Sequence, residues 1–370
     1  MHQSRTLDVG MDVHQDSIAV ASVAEDHPPD VVFLGASGTR PCAIDPLIRQ
    51  LPSNSQHLVF VYEAGPCGYG RSRDLTKKGH VCWGVAPSLI PNKAGDRVTT
   101  DRRDAVQLGR LMRSGDLTPV SVPQVEDEAI RDLSRARDEA IQDLKAATCR
   151  LNAFLLRHDI RDTGRATWGP AHRRWRSEVV CATPAPPSGF QADVRAVNEH
   201  TDRLPRLEHA RHEPVHTWRL QPVIEALHAW RGVPCTVAVT IVAELGDLTR
   251  VDHPRQLMRD LGLTPAAYSR GERRRQGAIT KTGNTHARRA LIDGAWAYRD
   301  SAKVSRHLPR RLEQLPKPLQ DSSWKAPVRL CQRDRTLGAR GTHAKQVVVA
   351  MARELIAFMW AIAREVPLTR

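Results

Sequence analysis

The chain has 370 residues, 41% of them hydrophobic, which is long enough for two domains with a connector and too apolar for a disordered chain. Lys and Arg total 55 against 41 Asp and Glu, giving a formal net charge of +14 and a pI near 10.0. That excess favours a polyanionic partner, because each phosphate contact releases condensed counterions, whereas no lipid-binding helix supports an acidic membrane as the partner.

The N-terminal stretch MHQSRTLDVG has no charged-then-apolar signal pattern. Leu7–His14 and Ser17–Val23 are short β-rich runs, and Val31–Leu34 reads as a third strand beside them. Ala43–Leu51 suits a helix, His57–Glu63 a strand, Arg71–Lys78 a helix and His80–Val85 a fifth strand. Hairpin-linked strands followed by β-α units predict a mixed α/β sheet. From Asp101 the pattern turns helical. Asp101–Ser114 places Val106, Leu108, Leu111 and Met112 on an apolar side. Glu126–His158 carries Ile130, Leu133, Ile141, Leu144, Leu151 and Leu155 at roughly helical spacing among mixed charges, which predicts an extended helix or coiled coil. Pro170, Pro184, Pro186 and Pro187 mark a linker between 160 and 190. A further helix is expected from about Asp193 to Trp230, then short helices joined by arginine-rich loops. The most apolar stretch, Gln346–Val366, is interrupted by Arg353, Glu354, Arg364 and Glu365, and predicts a buried helix with no membrane span. Seven scattered cysteines with no CxxC pair indicate neither a zinc ribbon nor a disulfide framework and fit reduced thiols in the cytoplasm.

Several residues can carry chemistry. Asp12 lies at the end of the first strand, in Val-Gly-Met-Asp-Val-His, and alternation puts it on one face with Gly10 and His14. A carboxylate there costs desolvation energy unless it is paired, metal-bound or on an exposed edge. Glu63 closes Val-Phe-Val-Tyr-Glu at a strand end, where open α/β sheets place ligand-bearing groups. The following Gly65-Pro66-Cys67-Gly68-Tyr69-Gly70 has no Gly-Lys-Ser/Thr sequel, so its glycines read as a tight turn and not a nucleotide loop. Asp101 and Asp104, three apart at a helix start, share a face and can converge on a metal. Equally, Thr100 or Asp101 can cap that helix while the carboxylates favour its dipole. In order, strand-Asp, strand-Glu and helix-Asp-x-x-Asp form a hard oxygen set suited to Mg²⁺ or Mn²⁺ and to two-ion phosphoryl transfer.

Toward the C-terminus, Tyr268–Arg275 continues to Ile279-Thr280-Lys281-Thr282-Gly283-Asn284 and to a helix carrying Arg288 and Arg289. This reads either as a phosphate-contacting loop with a serine in it or as a solvated basic loop. His209, His212 and His216, with Pro214 expected to interrupt their helix, read as a surface cluster. Aromatic residues at 5% argue against a broad base-stacking platform.

Together these motifs resemble the insertion-sequence transposases with an Asp-Glu-Asp-Asp catalytic set, related to the Piv-type DNA invertases. Val9-Gly10-Met11-Asp12 looks like the first acidic motif, Tyr62-Glu63-Ala64 the second, and Thr100–Ala105 the third and fourth. Ala243–Asp247, Gln256-Leu257, Leu261–Pro265 and Lys281–Asn284 look like the C-terminal motifs. The resemblance implies an RNase H-like (RuvC-like) domain over 1–122, a helical coiled-coil and linker over 123–228, and a mainly α-helical transposase domain over 229–370. It implies metal-dependent cutting and rejoining of DNA at element ends and target, with Asp12, Glu63, Asp101 and Asp104 as catalytic metal ligands. It further implies a homo-oligomer, a dimer or tetramer with a composite site between subunits, acting at the nucleoid. Some members use a structured RNA to choose donor and target DNA. Arg273, Arg274, Arg275, Lys281 and Arg288 are the expected nucleic-acid contacts.

The family pattern Tyr-x-Ser-Gly is altered. Arg270 stands where the nucleophilic serine is expected, and Ser269 is the nearby serine. Either Ser269 substitutes through a local shift, or this copy has lost strand transfer. A softer departure is Thr99, where many relatives carry lysine. The rival expectations are a junction-resolving nuclease and a catalytically impaired DNA- or RNA-binding copy.

Overall fold

The computed structural model describes residues 6–24, 31–51, 57–91, 99–161, 169, 171–172, 174–175, 179, 187–271, 273–302, 313 and 315–368. The chain divides into two compact units, Met1–Gln124 and Val125–Arg370.

The first unit is built on a five-stranded sheet in the order β3-β2-β1-β4-β5. Its strands are β1 (Thr6–Val13), β2 (Ser17–Val23), β3 (Val31–Gly38), β4 (His57–Glu63) and β5 (Val81–Val85). β1, β2 and β3 pair antiparallel through short connections, and β4 and β5 continue parallel to β1. β3 runs past the predicted Leu34 to Gly38, because Gly35 at φ 96° absorbs an irregularity in the pairing and lets the strand resume. The helices are α1 (Pro41–Gln50), α2 (Gly70–Lys77) and α3 (Asp101–Arg113). Alternation divides β1 between two layers. Leu7, Val9 and Met11 enter a core with Ile44, Leu47, Phe60 and Leu75, whereas Asp8 and Gly10 face α3. This is the RNase H-like topology, and a mainly helical region follows it.

The second unit opens with α4 (Val125–Arg157) and α5 (Pro187–Thr217), which pack along each other. The helix expected from about Asp193 to Trp230 is two helices, α5 and α6 (Gln221–His228). α5 continues through Pro205 and Pro214, so Pro214 does not interrupt it, and His212 and His216 meet at 3.1 Å on its exposed surface. Most of the proposed linker lies outside the described residues. The remaining elements are α7 (Cys235–Leu245), α8 (Pro254–Asp260), the hairpin strands β6 (Pro265–Arg270) and β7 (Arg273–Ile279), α9 (Thr285–Ala295), α10 (Lys317–Ala339) and α11 (Ala344–Glu365).

The segment read as a basic loop is therefore a two-stranded sheet, with Ser269 opposite Arg274 and Arg270 opposite Arg273. Gly271 at φ 60° permits the tight reversal between the two strands. α11 is long and apolar enough to cross a membrane by composition. Val348, Met351, Leu355, Ile356 and Met359 instead bury themselves in the core shared with Ile130, α6, α7 and α9. Among the described residues, Cys67, Cys82, Cys149, Cys235 and Cys331 are free thiols.

Candidate metal centre

The acidic residues gather because α3 crosses β1 at unusually close range. A Cβ on Gly10 would fall inside the Ala105 carbonyl oxygen and 2.6 Å from the Gly109 nitrogen. Real Cβ atoms do not approach backbone so closely, so only glycine in β1 lets α3 lie this near. At one end of the crossing, the buried Asp8 faces Arg113 at 3.7 Å. At the other, the first turn of α3 comes over the end of β1. Thr100 is the N-cap, its Oγ1 accepting from the Arg103 backbone N–H at 3.4 Å, which starts the helix at Asp101.

His14 bridges the carboxylates, with Nε2 3.1 Å from Asp12 Oδ2 and 3.5 Å from Asp101 Oδ1. Asp12, His14 and Asp101 offer ligand atoms all within 4.8 Å of one another. Asp12 is the most enclosed of the three, with 17% of its side chain exposed. The Asp12 carboxylate raises the pKa of His14, chiefly by its charge and then by hydrogen bonding, and Asp101 adds to the effect.

Glu63 reaches the cluster from the adjacent parallel strand. The β1–β4 register pairs Met11 with Tyr62, so Asp12 and Glu63 follow side by side at the strand ends. Partial burial raises the pKa of Glu63 first, and the charges of Asp12 and Asp104 raise it further. The close-set ligand group is thus Asp12, His14 and Asp101, while Glu63 and Asp104 lie outside that group, near enough for the charges of Asp12 and Asp104 to act on Glu63. The glycine-rich turn after Glu63 is fastened there. Gly68 N–H donates to the Gly65 carbonyl at 3.0 Å, and Tyr62 Oη donates to the Gly68 carbonyl at 3.1 Å.

The donor chemistry fits a divalent cation. Among the described residues the close-set group offers carboxylate oxygens and one imidazole nitrogen, and burial followed by the charges of Asp12 and Asp104 raises the pKa of Glu63 beside it. Such a like-charge cluster is stabilised by a cation of high charge density. His14 was missed as a member in the sequence. Its place two residues beyond Asp12 on the same strand face was the available signal.

In the second unit, Ser269, Arg270, Arg273 and Arg275 are exposed on the hairpin, and Lys281 is exposed beyond it. The Arg274 side chain lies outside the described residues. Arg288 differs from the others: it is buried, and its Nη1 donates to the carbonyls of Leu261 and Thr282 at 2.9 and 2.8 Å. Its guanidinium braces the interior, which leaves the surface contacts to the other cations.

A five-stranded RNase H-like sheet with Asp12, His14 and Asp101 grouped where β1 meets α3 is an arrangement consistent with metal-dependent phosphoryl transfer on nucleic acid. Comparison with known proteins gives the family. Residues 9–159 match the DEDD transposases of the IS110 type, and residues 224–308 match the transposase IS116/IS110/IS902 family. A protein of Sinorhizobium fredii named as a transposase, y4qE, is 41% identical over 357 residues, covering 96% of this chain and 88% of its own. The transposase for insertion sequence element IS1533 of Leptospira borgpetersenii is 27% identical over 337 residues, covering 90% and 97%. The chain belongs to the IS110/IS902 family of insertion-sequence transposases, and it is an enzyme of the transposase/recombinase class with DNA as its partner.

Proposed function

We propose that this chain cuts and rejoins DNA at the ends of its own insertion sequence, with Asp12, Glu63, Asp101 and Asp104 as ligands to Mg²⁺ or Mn²⁺. The observation that carries this reading is the grouping of Asp12, His14 and Asp101, whose ligand atoms lie within 4.8 Å of one another at the end of β1, with Glu63 at the neighbouring strand end. Such a cation supplies positive charge at the scissile phosphate and makes the attacking oxygen more acidic. The protein's residues hold the geometry. Asp12 and Glu63 are set on paired strands, and Asp101 and Asp104 on one turn of α3. Arg273, Arg274, Arg275 and Lys281 contact backbone phosphates, in keeping with the net charge of +14. Ser269 is the nucleophile in a C-terminal serine transposase domain akin to that of Piv-type invertases. The enzyme works as a dimer or tetramer in the bacterial cytoplasm, at the nucleoid, with a structured RNA choosing its DNA.

The hairpin register favours a second reading. Ser269 and Arg270 are successive residues of β6 and so face opposite sides of it. A serine displaced by one position points away from where the family's serine points. In this reading the chain cleaves without rejoining, as a junction-resolving nuclease, or binds DNA or RNA as an impaired copy.

Incubation with Mg²⁺ and DNA bearing the element ends separates the readings. Rejoined strands support the recombinase, free ends the resolving nuclease, and tight binding without cleavage the impaired copy. Asp12→Asn is expected to fold normally and lose all metal-dependent cleavage. Unchanged cleavage by that variant removes Asp12 from the mechanism.

A further inference from the structure

Two motifs that the metal cluster leaves unused, Ala243–Asp247 and Lys281–Asn284, meet through one hydrogen bond. Asn284 Nδ2 donates to Glu244 Oε2 at 2.7 Å. The same carboxylate accepts both prongs of Arg135, Nε at 2.7 Å and Nη2 at 2.8 Å. The Glu244 side chain has no solvent exposure, so its charge persists only because these donors satisfy it. Burial pushes its pKa up, yet the hydrogen bonds from Arg135 and Asn284 outweigh that and leave it lowered.

Asn284 does a second job with its other end. Its Oδ1 accepts from the Ala287 N–H at 2.9 Å and caps α9. The turn before it, Thr280–Gly283, is enclosed on several sides. A Cβ on Gly283 would overlap the Asp260 carbonyl, and one on Gly262 would overlap the Thr282 backbone. Arg288 grips the Thr282 carbonyl from inside. The Lys281 N–H donates to the Gly262 carbonyl at 3.1 Å, and the Thr280 N–H to that of Thr264 at 2.9 Å. Held in this way, exposed Lys281 adopts φ 57°, a left-handed conformation that only Asp159 shares among the described non-glycine residues. An L-residue stays in that region only where its surroundings over-determine it.

The geometry points to Glu244 as a positioning residue for DNA. Oriented by Arg135, it fixes through Asn284 the turn that presents Lys281 to a backbone phosphate. A lysine is a flexible point charge, so a rigid turn at its root lowers the entropy lost when it settles on one phosphate. The inference rests on Lys281 being a phosphate contact, and its test keeps the two apart.

The experiment uses the full chain and a duplex carrying the element's end, reading the slope of log affinity against log salt. Lys281→Ala is expected to reduce that slope by about 0.9, the contribution of one phosphate. Asn284→Ser retains a capping oxygen for α9 but is too short to reach Glu244. It is expected to reduce the slope as much as Lys281→Ala does, with no further loss when the two are combined. Glu244→Gln is expected to do the same. If that variant fails to fold because Arg135 is left uncompensated, Asn284→Ser decides, since it leaves the ion pair intact. A purely structural network lowers the melting temperature without moving the slope. An unchanged slope in Asn284→Ser, with Lys281→Ala effective, overturns the positioning role. An unchanged slope in Lys281→Ala overturns the phosphate contact beneath it, and the positioning role with it.

Discussion

Gly10 in β1 and Gly109 in α3 meet backbone to backbone, so that a Cβ on the first would lie 2.6 Å from the nitrogen of the second. This contact lowers α3 onto the sheet and brings Asp101 and Asp104 over the end of β1. The two glycines are not equivalent. At Gly10 the obstacle is helix backbone, which cannot move without moving α3. At Gly109 it is the Val23 Cγ2 at 2.9 Å, a side-chain atom. Gly10→Ala is therefore expected to destabilise the first unit by about 1–3 kcal/mol and to abolish cleavage. In Gly109→Ala the crowding is offset by the helix propensity of alanine, about 1 kcal/mol, and the net change should stay within about 1 kcal/mol. Denaturant unfolding of both variants checks the order, and equal losses would contradict the close-crossing account.

Glu63 is predicted to trade stability for function. Its pKa is raised in the fold by burial and by Asp12 and Asp104. A raised carboxylate contributes stability below its unfolded pKa and loses it as pH rises through the folded value. Glu63→Gln, which carries no charge to repel, should thus raise the melting temperature of the metal-free protein above the ordinary carboxylate range. It should give no gain in acid, where the native group is protonated. Added Mg²⁺ should shrink the difference by stabilising the native cluster alone, while the variant loses cleavage. A melting temperature that does not depend on pH in this comparison would remove the repulsion.

Arg270→Ser restores a serine directly before Gly271, on the strand face that Ser269 does not use. Reacting atoms must lie about 3–3.5 Å apart, and a displacement near 1 Å can cost about a hundredfold. Recombination in a cell assay with the element's ends is accordingly expected to rise in Arg270→Ser. An active natural protein that Ser269→Ala silences would instead identify Ser269 as the working nucleophile.

Arg288 and the hairpin cations should separate cleanly. Arg288→Ala strips the donor from the Leu261 and Thr282 carbonyls, at about 1–3 kcal/mol for the buried Leu261 carbonyl and less for the one on exposed Thr282. Its main effect should be on the unfolding midpoint. Reversing Arg273 and Arg275 to Glu, both exposed, should leave that midpoint nearly unchanged and flatten the salt dependence of DNA binding. A salt slope insensitive to the reversal takes the hairpin off the binding surface.

Much of this protein was legible in one dimension. The period-two runs ending in Asp12 and Glu63, and the Thr-Asp-x-x-Asp helix start, are local signals, and local sterics and capping suffice to make them strand ends and a first turn. The mixed sheet followed by helices could be read the same way, as could the apolar stripe that buries α11. The hairpin at Ser269 was read as a loop because its side chains are exposed and arginine-rich, so no buried face imposes an alternation of apolar residues. The run of α5 through Pro214 was hidden for a related reason: packing along α4 sustains a helix that local propensity would end. His14 as a bridge between Asp12 and Asp101, Arg288 as an internal brace, and Glu244 joined to Asn284 across forty residues of chain were decided only in three dimensions. Each depends on how closely two elements approach, as at Gly10 and Gly109, and that distance is set by the packing of backbones and not by any pattern along the chain.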